Sequence, residues 1–189
     1  MRIAFKEWAV VVDALGRGEQ IVILRKGGIA EGHGGFRPEH ERFWLFQTLF
    51  HQQRESVVPS AQQRYDAIAP SFPPSDRLRL EFFCEVAETR RLESLADAER
   101  LRGQHIWRDE VVAERFDWGR DKSLYAMAVR VSRLPQPVEL PMLAGYGGCK
   151  SWIELEGAPD VSVAKPALDE AAFRVKLERF QATLSMAAH

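Results

Sequence analysis

The chain has 189 residues, 46% of them hydrophobic and 28% charged, with 26 basic side chains against 27 acidic ones and a formal net charge of −1. Those proportions describe an ordinary globular protein and exclude a coat of positive charge, so any nucleic-acid partner has to be met by a local basic patch. A chain of this length buries roughly 70% of the surface its unfolded form exposes and needs neither metal nor disulfide to stay folded. The two cysteines, Cys84 and Cys149, form no CxxC pair, no apolar signal core follows the first residues, and no apolar run approaches the ~20 residues of a membrane span. The expectation is a reduced, cytoplasmic protein with no membrane role, folded as a single domain over residues 1–189.

In chain order, Ile3, Trp8, Val11, Val12 and Leu15 recur at spacings of three to five and predict a short helix over residues 3–15, closed by Gly16 and Gly18. The run Gln20-Ile21-Val22-Ile23-Leu24-Arg25, rich in β-branched residues, predicts a strand buried on both faces. Five glycines within nine positions, Gly27, Gly28, Gly32, Gly34 and Gly35, are too dense for regular structure and predict a loop of unusual backbone freedom. A strand at Phe43-Trp44-Leu45-Phe46 runs into the polar stretch Gln47-Thr48 and His51-Gln52-Gln53-Arg54. Pro59-Ser60 opens a short helix over residues 59–68, ended by a turn containing Pro70, Pro73 and Pro74. Leu78, Leu80, Phe82, Cys84 and Val86 alternate with Arg77, Arg79, Glu81, Phe83 and Glu85, the period-two pattern of a strand with one buried face.

Short helices are predicted over residues 94–101 and 109–116, then a strand over 124–131 that Pro135, Pro137 and Pro141 continue as an extended edge. The pair Gly147-Gly148 precedes a last strand over 149–155, and a C-terminal helix over 167–187 carries Leu168, Ala172, Val175, Leu177 and Phe180 toward the rest of the domain. The strands are not spaced by regular crossover helices, which disfavours a doubly wound parallel sheet. The expected class is α+β: a small curled, mostly antiparallel β-sheet or barrel with helices packed at its ends.

Three segments resemble the bacterial domain-of-unknown-function 1802 family: Lys6-Glu7-Trp8-Ala9-Val10-Val11-Val12-Asp13-Ala14-Leu15 leading into Leu24-Arg25-Lys26-Gly27-Gly28-Ile29, then Phe43-Trp44-Leu45-Phe46 with His51-Gln52, and finally Tyr146-Gly147-Gly148-Cys149-Lys150-Ser151-Trp152. The resemblance spans nearly the whole chain, departs where Gln47 stands in place of the family's usual proline, and brings no assigned activity. It implies a restriction-modification or nucleic-acid context, because some relatives are linked to restriction-endonuclease domains. A second, shorter likeness is the helix ending in Gly18-Glu19-Gln20 that runs into Ile21-Val22-Ile23-Leu24-Arg25, which is similar to the opening of ASCH and other PUA-like domains. That likeness implies a PUA-like barrel, a fold that generally binds nucleic acid and includes a few small amidohydrolases, although fold does not fix function.

The candidate site residues follow from chemistry at glycine-loosened segments. Arg25-Lys26-Gly27-Gly28 sets two cations at a strand end where a ligand can approach the backbone; a solvated strand end is the plainer alternative. His33, His40 and His51 crowd together with Glu31, Glu39 and Glu41, yet no HExxH or comparable spacing is present, so no metal and no cofactor is expected. Of these, His51 with Gln52 offers the donor and acceptor mixture that reads a base edge, or an imidazole for proton transfer. Lys150 and Trp152 share one strand face as a cation and stacking platform, whereas adjacent Cys149 and Lys150 point apart, so that Cys149 is expected in the core rather than as a Lys-activated thiol nucleophile. Arg120, Lys122, Arg130 and Arg133 with Lys150 make residues 120–150 locally basic.

Three functional classes follow. The first is a nucleic-acid-binding module for a modified or unpaired base, lined by Arg25, Lys26, Gly27, Gly28, His51, Gln52, Lys150 and Trp152. The second is a small nucleoside or amide hydrolase with Lys26 or His51 as base and Glu31 or Glu39 assisting. The third is an accessory subunit that docks an apolar surface on a nuclease.

Overall fold

The opening segment shows first how burial decides between two periodicities. Phe5 and Glu7 fall on one face and Ala4 and Lys6 on the other, and residues 3–8 form a strand, β1 (Ile3–Trp8), rather than the start of a helix. Partners on both sides satisfy its backbone: β3 (Arg42–Thr48) runs parallel to it, and β6 (Trp152–Glu154) antiparallel. The helix α1 begins only at Ala9 and ends at Gly16, and it buries Ala9, Val10, Val11, Val12, Ala14 and Leu15. Three consecutive valines are poor helix formers, so packing on all sides rather than propensity holds this turn of chain. Gly18 closes it with φ 68°, its amide on the Leu15 carbonyl and the Glu19 amide on that of Ala14, the paired bonds of a Schellman cap.

This computed structural model describes residues 1–26, 38–119 and 121–185. The remaining strands are β2 (Val22–Arg25), β4 (Arg77–Leu92), β5 (Leu124–Pro141) and the short β7 (Lys165–Pro166); the remaining helices are α2 (Gln52–Glu55), α3 (Pro59–Ile68), α4 (Leu95–Arg100), α5 (Asp109–Asp117) and α6 (Glu170–Ser185). The sheet order is β2-β5-β4-β3-β1-β6, with β7 on β5. Every neighbouring pair is antiparallel except β1 with β3. The α+β class expected from the sequence is therefore the one observed.

The sheet curls strongly. Arg25 closes β2 at one end of the strand order and Ser151 precedes β6 at the other, yet the two side chains are hydrogen-bonded. Two apolar clusters explain why the middle strands are buried on both faces. Phe5, Phe43, Leu45 and Cys84 face the larger one, with α1, Trp107 and the Phe173 and Phe180 rings of α6. Ala4, Trp44, Phe46 and Phe83 face the smaller one, which Leu134, Tyr146, Ile153 and Leu155 cover.

Other boundaries moved for physical reasons. β4 reaches Leu92 and β5 reaches Pro141 because the two pair along most of their length, with register shifts between Leu80 and Phe82 and between Val86 and Glu88. Arg133 pairs with Phe82 and Val138 with Leu80, so Pro135 and Pro137 sit where the chain steps out of the ladder. The last strand is confined to Trp152–Glu154, which leaves Cys149 and Lys150 in the exposed segment before it. Among the described residues no helix is long and apolar enough to cross a membrane, and no group of three or more His, Cys, Asp or Glu is placed to hold a metal ion.

Candidate functional site

Where the two ends of the curled sheet meet, charged and aromatic groups converge on β1. Phe5 and Glu7 lie on its inner face. The Arg25 guanidinium sits 5.2 Å from the centre of the Phe5 ring and donates from Nε and Nη2 to Ser151 Oγ at 3.0 and 2.7 Å. A planar fork lying on a ring and anchored by a hydroxyl is held in one orientation. The Trp152 ring forms a neighbouring wall, its centroid 4.9 Å from Phe5, 5.1 Å from Phe43 and 4.9 Å from His40.

Glu7 is the unexpected member. It is 1% exposed. One carboxylate oxygen accepts the Trp8 backbone N–H at 2.7 Å, while Oε2 has no hydrogen-bond partner among the described residues. Burial pushes this carboxyl above the usual carboxylate range; the charges of Arg25 and Arg115 and the Trp8 amide pull it back. Arg115, from α5, donates from Nη1 to the Leu24 carbonyl at 3.3 Å, with its guanidinium carbon 4.6 Å from the Trp8 ring centre and 5.3 Å from that of Trp107. Burial lowers its pKa to about 10 against the pull of Glu7, so Arg115 keeps its charge at neutral pH. The carboxyl is thus buried with one oxygen pinned and the other without a partner among the described residues, and the charges of Arg25 and Arg115 both act on it.

Lysines form the rim. Lys6, on the opposite face of β1, donates to the Gly148 carbonyl at 2.9 Å and lies 5.5 Å over the Phe46 ring. Its pKa is lowered by burial first, with Lys150 and Arg25 acting the same way and Cys149 opposing, so Lys6, Lys150 and Arg25 share one electrostatic neighbourhood. Lys150 is exposed and carries no ion pair among the described residues. Next to Lys6 an apolar groove of about 410 Å³ is lined by Phe46, Phe50, Met142, Leu143 and Tyr146, with Phe50 60% exposed.

The structure brings Arg25, Lys150 and Trp152 together and leaves the other expected residues apart. Lys26 turns away from Arg25: its ammonium donates to the carbonyls of Phe116 at 3.1 Å and Ser123 at 2.9 Å, and to that of Asp121, which ties the end of α5 to the chain leading into β5. His51 and Gln52 are exposed at the start of α2, and no hydrogen bond or ion pair joins them to Lys26. The base and assisting groups of the hydrolase reading do not converge among the described residues. Gly27, Gly28, Glu31 and His33 lie outside the described residues. Glu39 is exposed, whereas His40 packs its ring on Trp152.

Of the cations that make residues 120–150 basic, Arg120 lies outside the described residues and three of the others are paired. Lys122 pairs with Asp117, Arg130 with Glu170 and Arg133 with Glu81, so these charges are neutralised where they stand. Trp152 also differs from an open stacking platform, because three rings already pack against it and no Lys150 contact lies over its face. Both cysteines are free thiols, Cys84 in the core and Cys149, expected in the core, on the surface because the last strand begins only at Trp152. Sequence reasoning missed Glu7, Arg115, Ser151 and Lys6; the one signal available was that Glu7 alternates with Phe5.

Comparison with known proteins adds the following. No curated protein matches the chain. Among solved structures, the ASCH protein of Zymomonas mobilis is 12% identical, with 99% of this chain and 96% of that chain covered and a TM-score of 0.46. A single-residue mutant of the Zymomonas mobilis protein is 14% identical, with 82% of this chain and 90% of that chain covered and a TM-score of 0.44. The family described as a domain of unknown function, DUF1802, matches residues 4–179. Matched over nearly its whole length, the chain belongs to the DUF1802 family.

Proposed function

We propose that the chain is a nucleic-acid-binding module that takes an unpaired base into the end of its curled sheet. The observation that carries this reading is the meeting of Arg25 and Ser151 from the two ends of the strand order, with Arg25 also acting on the buried Glu7 carboxyl, one oxygen of which has no partner among the described residues. A nucleotide offers the complementary features: a flat ring for an arginine and aromatic setting, polar edge atoms for a buried carboxyl, and phosphates for lysines at the rim. Lys6 and Lys150 are the cations offered to the phosphates, and an apolar groove lies beside Lys6. A duplex does not expose a base edge in this way, so single strands or locally opened strands are the expected ligand. The family resemblance adds a restriction setting.

Fluorescence anisotropy with single- and double-stranded DNA and RNA at two salt concentrations tests the reading. Single strands bind at micromolar concentration or tighter, and the logarithmic salt slope falls by about 0.7 for each of Lys6→Ala and Lys150→Ala. No binding to any form, or slopes untouched by both substitutions, overturns it.

A further inference from the structure

We infer that Glu7 selects the base by accepting a hydrogen bond from an exocyclic amino group, so that the module takes cytosine or adenine in preference to thymine or uracil. This rests on the nucleic-acid reading and adds to it the class of base. The geometry leaves little latitude. One Glu7 oxygen is occupied by the Trp8 amide at 2.7 Å, and the other is buried with no partner among the described residues. An acceptor enclosed in this way gains most from an N–H brought by the ligand, and leaving it unmet costs its full desolvation. Thymine and uracil do carry a ring N–H, but two carbonyl oxygens flank it and would be carried toward the same carboxyl. The amino group of cytosine or adenine reaches the open oxygen from the ring edge without that opposition. The charges of Arg25 and Arg115 oppose the upward push that burial gives this carboxyl, and the Trp8 amide holds the acceptor in place, unlike a mobile surface glutamate.

Pinning by Trp8 also fixes what a substitution does. In Glu7→Gln the Trp8 N–H still requires an oxygen, so the amide nitrogen must stand where the open oxygen was, and an acceptor becomes a donor. Recognition then inverts, favouring the carbonyl edge of thymine over the amino edge of cytosine.

The test uses a short strand of abasic sugar-phosphates carrying one central base, either cytosine, its dimethylamino derivative, adenine or thymine, titrated by anisotropy against the native protein and the Glu7→Gln variant. The native protein binds the cytosine and adenine strands about tenfold more tightly than the thymine strand, the size of one charge-assisted hydrogen bond. The dimethylamino derivative, which keeps the ring and loses both N–H donors, falls to the thymine level. In the variant the order of cytosine and thymine reverses. Equal affinity for cytosine, its dimethylamino derivative and thymine overturns the inference while the binding reading stands. Failure of all four strands and of ordinary oligonucleotides overturns the binding reading and this one with it. The derivative needs no substitution, so the native protein decides the question even if Glu7→Gln does not fold.

Discussion

His105 gives a measurable pH dependence of stability. It lies between α4 and α5, 7% exposed, with neither ring nitrogen in hydrogen-bond geometry to a described atom and its ring 5.5 Å from that of Trp107. Burial pushes its pKa down from 6.5 to about 4, with Asp109 opposing and Arg115 reinforcing the shift. A depressed folded pKa means that the unfolded chain takes up a proton that the native state refuses. Stability from this source is therefore full above the ordinary histidine pKa and is lost as pH falls toward 4. Between pH 7 and pH 5 the loss is about 2 kcal/mol, equivalent to a fall of about 4–8 °C in Tm for a chain of this size. Urea unfolding followed by tryptophan fluorescence at the two pH values reads it directly, provided the slope m is constant. The His105→Gln variant, with no titrating group at this site, loses about 2 kcal/mol less than the native protein over the same interval. Equal losses in the two proteins would refute the reasoning, because the acid sensitivity would then come from other groups.

Three further outcomes follow from the same geometry. Gly18→Ala forces an L side chain into φ 68° and drives its Cβ against the Leu168 side chain, so it costs about 2 kcal/mol or more in urea unfolding, and an unchanged midpoint contradicts the cap described for α1. Lys26→Ala removes the ammonium that serves three carbonyls and lowers stability by about 1 kcal/mol, while the affinity of the folded protein for a single strand is unchanged; a fall in affinity without a fall in stability would return Lys26 to the site. Arg115→Met leaves Glu7 with one arginine instead of two and destabilises by about 2–4 kcal/mol, and the double variant Glu7→Gln/Arg115→Met recovers part of that loss; strict additivity in the thermodynamic cycle would show that the two groups are not coupled.

Much of the fold was legible because burial writes itself into the spacing of apolar residues. The β-branched run at Val22–Leu24, the alternation from Arg77 onward and the Pro59 helix start each predicted the element that formed. Residues 3–8 misled because a strand buried on both faces and an amphipathic helix place large apolar residues at similar intervals. What decided between them was pairing with β3 and β6, which begin dozens of residues away in sequence. Only part of the candidate site could be read for the same reason. Arg25, Lys150 and Trp152 stood out as cations and an aromatic near glycines, but nothing local says that Arg25 meets Ser151 or that Arg115 folds against Trp8. Lys26 looked equivalent to Arg25, but it stands one residue past the end of β2, and its ammonium is taken up by the carbonyls of Phe116, Asp121 and Ser123, all distant in sequence. Glu7, between Lys6 and Trp8 in sequence, carries no local sign of the burial that partners on both sides of β1 give it.

The central claim is that a single-stranded nucleic acid enters where Arg25 meets Ser151. Ultraviolet cross-linking of a bound single-stranded oligonucleotide, followed by mass spectrometry of the digested protein, tests it most directly. The account predicts adducts on the peptide carrying Lys150 to Trp152 and on β1 around Phe5. Adducts confined to α3 or to the outer half of β4, or a bound strand that cross-links to none of these segments, would contradict it.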